Sequence, residues 1–308
     1  MAEIPAALVR ELRQKTNAGM MDCKKALAET AGDMESAVDW LRKAGIAAAA
    51  QKASRATAEG LIGVASTGHR AAMVEVSAET DFLARHEDFQ QFVRTLAELI
   101  LTNTETITEN LSQVQSLFYP ETGRTVSEEI TYMVAITGEN IQLCRSCILS
   151  VSDGVVASYV HNSTAPALGR IGVLVALESA GNKDGLAALG RQIAMHIAAT
   201  SPLFLDIASV DAKVLARERD VLMAQARASG KPESVVTKIV EGRLRKYYED
   251  VVLLEQVYVV DGESKIEEVL QKASASRGAP IRLTGFRRFS LGDRQTKHFT
   301  TMAPENSR

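Results

Sequence analysis

The chain is 308 residues long, enough for about two domains, and its 46% hydrophobic and 24% charged residues exclude a disordered, collagen-like or coiled-coil polypeptide. Lys and Arg number 35 against 38 Asp and Glu, a net charge of −3 without the basic excess of a nucleic-acid binder, and three cysteines point to free thiols in a reducing compartment rather than a disulfide framework. The longest apolar runs, residues 171–177 among them, reach seven residues against the roughly 18 of a membrane span, and Met1-Ala2-Glu3-Ile4-Pro5 opens no signal peptide, so the expected location is the cytoplasm.

Residues 1–55 read as a small helical domain. Ile4, Leu8, Val9 and Leu12 recur at helical spacing, as do Met34, Val38 and Leu41, with Gly19 and Gly32 as punctuation. Between the glycines, Cys23, Ala26 and Leu27 lie opposite Lys24 and Lys25. A three-helix bundle follows, its core too small to stand without a neighbour. The alanine-rich residues 44–58 read as a linker.

Residues 56–150 form the first half of an expected α+β core. The period falls to two on either side of Ser66-Thr67-Gly68, the mark of a hairpin. Phe89, Phe92, Val93, Leu96 and Ile100 then stripe one helix. Thr125 and Glu128 offer a capping box to a second helix, which faces inward through Ile130, Met133 and Val134 and ends at Gly138. Residues 140–151 return to a strand. Residues 151–210 repeat the plan about one hundred residues on, with strands at 154–159 and 171–178 and a helix carrying Leu186, Leu189, Ile193 and Ile197. The expectation is a pseudo-repeated two-part core of antiparallel sheets, each covered on one face by its helix.

Residues 211–249 read as an antiparallel helical hairpin. Val214, Val221 and Ala228 recur at sevenfold spacing, Ser229-Gly230-Lys231-Pro232 stops and restarts the helix, and Val236, Val240, Leu244 and Tyr247 stripe the return. Its narrow seam and charged surface predict that it protrudes into solvent. Residues 250–308 complete the second half as a C-terminal module: strands at 251–260 and 281–291 flank a helix starting at Ser264 and capped through Glu267, before a polar, frayed tail from Asp293.

Signals of conventional catalysis are thin. Cys144-Arg145-Ser146-Cys147 has a metal or redox spacing, but no second pair accompanies it and the five histidines are scattered. On a strand, positions three apart face opposite sides, so these cysteines read as packing residues, and Cys23 likewise. No phosphate-binding glycine loop, nucleophile elbow or zinc-protease helix is present, so the chain reads as a non-enzyme without cofactor or metal. One oddity remains in Glu79-Thr80-Asp81-Phe82-Leu83-Ala84-Arg85, which sets a bulky Phe between a strand and a helix. Periodicity favours core packing for Phe82 over an exposed anchor, and a helix-capping role for Asp81.

Two long stretches carry a resemblance. Gly19-Met20-Met21-Asp22-Cys23-Lys24-Lys25-Ala26-Leu27, with Leu12-Arg13-Gln14-Lys15-Thr16-Asn17-Ala18 before it, is similar to the N-terminal signature of bacterial elongation factor Ts. Glu75-Val76-Ser77-Ala78-Glu79-Thr80-Asp81-Phe82-Leu83-Ala84-Arg85 resembles the second signature of that family, although Leu83 stands where Val is usual and Ser77-Ala78 where a pair such as Asn-Cys is commoner. Gly138-Glu139-Asn140-Ile141, Ile193-Ala194-Met195-His196-Ile197-Ala198, Glu241-Gly242-Arg243 and Thr284-Gly285-Phe286 follow in the family's order. Residues 102–124 do not align, and the cysteine pair is not a family feature.

The resemblance implies a UBA-like N-terminal domain and guanine-nucleotide exchange on the GTPase EF-Tu in its GDP form, without covalent chemistry, nucleic acid or membrane. By match, Phe82 wedges into the nucleotide domain of EF-Tu, Asp81 perturbs the water shell of its Mg²⁺, and Thr80 and Leu83 hold the turn. Arg13, Met20 and Lys24 become candidate secondary contacts, against a reading in which Leu12, Met21 and Leu27 simply fill a small core. His196 divides evenly between a contact with another EF-Tu domain and a satisfied core or surface histidine. Two other classes compete: an adaptor that binds through residues 1–55 without exchange, and a thiol enzyme using Cys144 and Cys147.

Overall fold

The computed structural model describes residues 4–16, 18–103, 110–120, 122–228 and 232–293. Asn17, the hairpin turn expected at Ser229-Gly230-Lys231 and the tail beyond Asp293 lie outside these. The fold is α+β and divides into two compact units. One comprises Met1–Ala65, Met73–Cys147 and Ser163–Arg170, the other Ser66–Ala72, Ile148–Asn162 and Ile171–Arg308.

The first unit opens with α1 (Ala6–Thr16), α2 (Met20–Glu29) and α3 (Met34–Lys52). Their core is small: Val9, Leu12, Cys23, Ala26, Leu27 and Ala37. Asp33 starts α3 by accepting a hydrogen bond from the Ser36 amide at 2.7 Å. The expected linker begins inside α3, because an alanine-rich run propagates a helix wherever packing supports it. That support is α7 (Val126–Thr137), which α3 meets closely enough for a Cβ on Gly45 to lie 3.2 Å from the Ala135 Cβ. Arg42 pairs with Glu128, Lys52 Nζ donates to the Val134 carbonyl at 3.5 Å, and Tyr132 donates to the Thr16 carbonyl. The capping box of Thr125 and Glu128 forms as its spacing predicts, and Gly138 closes α7 in the left-handed conformation at φ 78°.

Strands β1 (Glu59–Ser66) and β2 (Arg70–Ala78) turn tightly, with the Thr67 amide donating to the Arg70 carbonyl at 2.8 Å. A one-turn helix α4 (Asp81–Arg85) leads into α5 (Glu87–Asn103), whose Phe89, Phe92, Val93, Leu96 and Ile100 are buried as their spacing predicts. Then α6 (Leu111–Ser116) precedes α7, and β3 (Ile141–Ser150) follows it. The hydrogen-bonded order is β3-β2-β1, continued by β5 (Leu168–Glu178) and β4 (Gly154–Ala165). Strand β5 gives its first residues to β1, pairing Leu168 with Gly63, and the stretch from Ile171 to Glu178 to β6 (Arg282–Ser290).

The second unit repeats the hairpin-then-helix plan with β4, β5 and α8 (Lys183–Thr200). Paired glycines mark the repeat. A Cβ at Gly60, whose φ is +136°, would lie 2.2 Å from the Val76 carbonyl oxygen; one at Gly154 would lie 2.0 Å from that of Leu177. Each hairpin thus starts where one strand presses on the end of the next, and only glycine fits.

Helices α9 (Ala212–Arg227) and α10 (Glu233–Val251) form the predicted hairpin, but its seam on α9 runs through Leu215, Leu222 and Ala226 rather than Val214, Val221 and Ala228. Leu222 and Ala226 are buried against Val236, Val240 and Leu244, with Leu215 packed beside them, while Val221 is exposed. The larger Leu side chains take the seam. No strand forms at 251–260. Helix α10 runs on to Val251, Leu253–Glu255 make a 3-10 turn, and the amides of Leu253 and Leu254 donate to the carbonyls of Phe204 and Leu205. Nor does Ser264 start the next helix. Its hydroxyl accepts from Lys272 at 2.8 Å, Asp261 takes the Glu263 and Ser264 amides, and α11 (Ile266–Arg277) begins at Ile266 without a side-chain cap.

Gly60→Ala is expected to cost about 2 kcal/mol or more, through a left-handed φ and a backbone clash. Gly242→Ala, inside α10 with open space around it, is expected to stabilise by about 0.5–1 kcal/mol. Urea unfolding midpoints of the two variants check the contrast.

Candidate functional site

The site is built at the end of β2. Thr80 caps α4, its Oγ1 accepting from the Leu83 amide at 3.3 Å. With only one turn of helix, successive side chains diverge by about 100°. Leu83 and Ala84 turn inward and are buried, which leaves Asp81, Phe82 and Arg85 facing outward. Phe82 is 81% exposed, so the core packing that periodicity favours does not occur. The cap belongs to Thr80, not Asp81, whose carboxylate is instead met by Arg85 Nη2 at 3.0 Å on the same turn.

Beneath the tip, two carboxylates cross between adjacent chain segments. Glu139 accepts from the Thr80 amide at 3.0 Å and from the Thr80 hydroxyl at 2.7 Å. Glu79 accepts from the Asn140 amide at 2.6 Å and from Arg55 at 3.4 Å. Asn140, itself buried, donates to the Arg55 carbonyl at 2.8 Å. The sequence singled out residues 138–141 only by likeness. What it concealed is that residues 59 or more apart satisfy one another's backbone amides.

On the N-terminal helices of the same unit, Arg13, Met20 and Lys24 are all exposed. Met21 is exposed too, at 73%, and does not fill the small core. Adjacent helical residues lie about 100° apart, so Met21 falls opposite the face of Cys23, Ala26 and Leu27, whereas Met20 borders that face and is exposed as the first residue of α2.

A family model described as Elongation factor TS matches residues 79–293. Among similar proteins, elongation factor Ts of Rhodospirillum centenum is 60% identical over 305 residues, covering 99% of this chain and 98% of the relative. That of Rhodospirillum rubrum is 56% identical over 306 residues, with 99% and 98% covered, and that of Gluconobacter oxydans 55% over 305 residues, with 99% and 97% covered. The chain belongs to the elongation factor Ts family. Its role is accordingly that of a translation elongation factor.

In this family member His196 is not a surface group. It lies in the second unit, fully buried on α8. Its Nδ1 accepts from the Val259 amide at 3.3 Å, so Nε2 carries the proton and donates to Gln256 Oε1 at 3.0 Å. Burial pushes the imidazole below its ordinary pKa, against a smaller upward pull from Gln256. The side chain is a satisfied core histidine and presents no surface to a partner. What it holds is the segment carrying Val257, Val259 and Val260, all exposed.

Cys144 and Cys147 lie on β3, with Cys144 Sγ 3.2 Å from Ser77 Oγ. Among the described residues no three His, Cys, Asp or Glu side chains gather as a metal site, and no helix is long and apolar enough to cross a membrane.

Phe82→Ala is expected to leave stability within about 0.5 kcal/mol of wild type, whereas Leu83→Ala is expected to cost about 2–3 kcal/mol; chemical denaturation separates them. The lowered pKa of His196 contributes stability present above about pH 6.5 and lost as pH falls through the folded value. The urea midpoint of the wild type is therefore expected to fall between about pH 7.5 and 5.5, and His196→Gln to flatten that dependence while lowering the neutral-pH midpoint.

Proposed function

We propose that the chain is a guanine-nucleotide exchange factor for EF-Tu in the cytoplasm, binding the GDP form and leaving once GTP is bound, with no bond broken and no nucleic acid or membrane involved. The observation that supports this best is Phe82: an aromatic ring 81% exposed on a capped, buttressed turn. Leaving such a ring in water forfeits burial worth about 1.5–3 kcal/mol, which a partner pocket recovers.

In this reading Phe82 enters a pocket of the nucleotide domain and pries apart elements that carry the phosphate-binding backbone. Asp81 brings a carboxylate beside the Mg²⁺ of EF-Tu, whose near-octahedral water shell tolerates little displacement. Its pairing with Arg85 keeps the charge neutralised until docking. Arg13, Met20, Met21 and Lys24 supply a second contact that holds the factor on while the tip works. The factor and GDP must weaken one another's binding equally, so tight docking without that coupling would inhibit exchange.

Release of a fluorescent GDP analogue from EF-Tu is the test. Catalytic amounts of the chain should accelerate it, and Phe82→Ala should reduce the acceleration roughly tenfold or more. If EF-Tu binds while release is unchanged and indifferent to Asp81→Ala and Phe82→Ala, the adaptor reading replaces this one.

A further inference from the structure

We propose that Glu139 is the positioning residue for Phe82, acting through Thr80. This rests on the exchange reading for its consequence but not for its geometry. A carboxylate only accepts hydrogen bonds, so both of its oxygens must be met by donors. Glu139 Oε2 is met by the Thr80 amide and Oε1 by the Thr80 hydroxyl. That assignment commits the single Thr80 proton to Glu139 and leaves the oxygen's lone pairs for the Leu83 amide. The cap of α4 is therefore oriented by Glu139, in series: carboxylate, hydroxyl, Leu83 amide, and with it the turn carrying Phe82.

The reciprocal bond from the Asn140 amide to Glu79 makes the joint two-sided. The residues just after β2 and just before β3 thereby exchange charge-assisted hydrogen bonds at the point where the tip departs, and Gly138, left-handed at φ 78°, turns the chain so that Glu139 faces Thr80. A five-residue helix has too few internal hydrogen bonds to fix its own direction. An exposed ring contributes nothing to that either. Without the carboxylate the tip would keep its sequence and lose its aim, and a wedge offered in many directions docks rarely in the productive one.

The test uses the full chain with Glu139→Gln, Thr80→Val and Thr80→Ser. Glutamine keeps size but presents one acceptor where two donors converge; serine retains both the amide and the hydroxyl. Hydrogen exchange of the peptide spanning residues 79–86 in the free protein is expected to quicken roughly tenfold in Glu139→Gln and Thr80→Val, and to stay at the wild-type rate in Thr80→Ser. Amides elsewhere that exchange by their own local openings should be unchanged, and the thermal midpoint should fall by only about 2–4 °C. With EF-Tu carrying a fluorescent GDP analogue, Glu139→Gln should lower the saturating release rate roughly tenfold while the half-saturating concentration moves little, because the N-terminal contacts still hold the complex. Unaltered exchange at 79–86, or loss of protection spread over the whole chain, would overturn the proposal, as would a saturating rate equal to wild type. If the wild-type chain does not accelerate release at all, the exchange reading falls, and hydrogen exchange alone decides the role of Glu139.

Discussion

An aromatic ring held in water cannot hold itself, and the first unit is organised around that constraint. Phe82 gains nothing from its neighbours in the free chain, so its direction is set by what lies below it: Leu83 and Ala84 buried, Thr80 capping, Glu139 receiving both donors of Thr80. Each support comes from a different stretch of chain. The strand end provides Thr80, and the junction after α7 provides Glu139 and Asn140. The segment after α3 provides the Arg55 carbonyl that fixes Asn140. A short turn is thus as firm as the elements it is pinned to.

The same logic explains why the N-terminal helices are fastened to α7. Six buried residues make a core too small to be self-sufficient. The close approach at Gly45, the Arg42–Glu128 pair and the Tyr132 bond to the Thr16 carbonyl supply the missing anchorage. They also couple the two candidate contact regions of this unit, since α7 leads through Gly138 into Glu139 and carries α3 along its side.

What the sequence revealed and concealed follows from the range of the interactions. The α5 stripe, the capping box at Thr125 and the hairpin at Ser66-Thr67-Gly68 depend on neighbours a few residues away, and each forms as its spacing predicts. Val251 to Val260 alternate like a strand, yet find their backbone partners in residues 204 and 205 and in a local turn, which no pattern within the segment encodes. Ser264 has the right spacing to Glu267 but loses its hydroxyl to Lys272. The alanine-rich run looked like a linker because its packing partner, α7, is more than 70 residues away. Phe82 is exposed where periodicity favours burial, and of the two readings open for His196 the structure takes the buried one, for one reason: an isolated aromatic carries no periodicity of its own, so its burial is decided by its surroundings. The tip, the candidate contacts of the N-terminal helices and the segment holding Glu139 were legible only by likeness, and nothing local marked Glu139 as the partner of Thr80.

The order in which strands join has a consequence for synthesis. Every segment of the first unit has been made once Arg170 is added, so that unit can close while the ribosome is still translating. The second unit cannot. Leu283 and Phe286 belong to its core, and β6 pairs with β5 along Ile171 to Glu178. Until those residues emerge, more than a hundred residues after the partner strand, β5 has an open edge on a growing chain. A translation factor of this design therefore offers its Phe82 tip to solvent before its own carboxy-terminal half has finished folding.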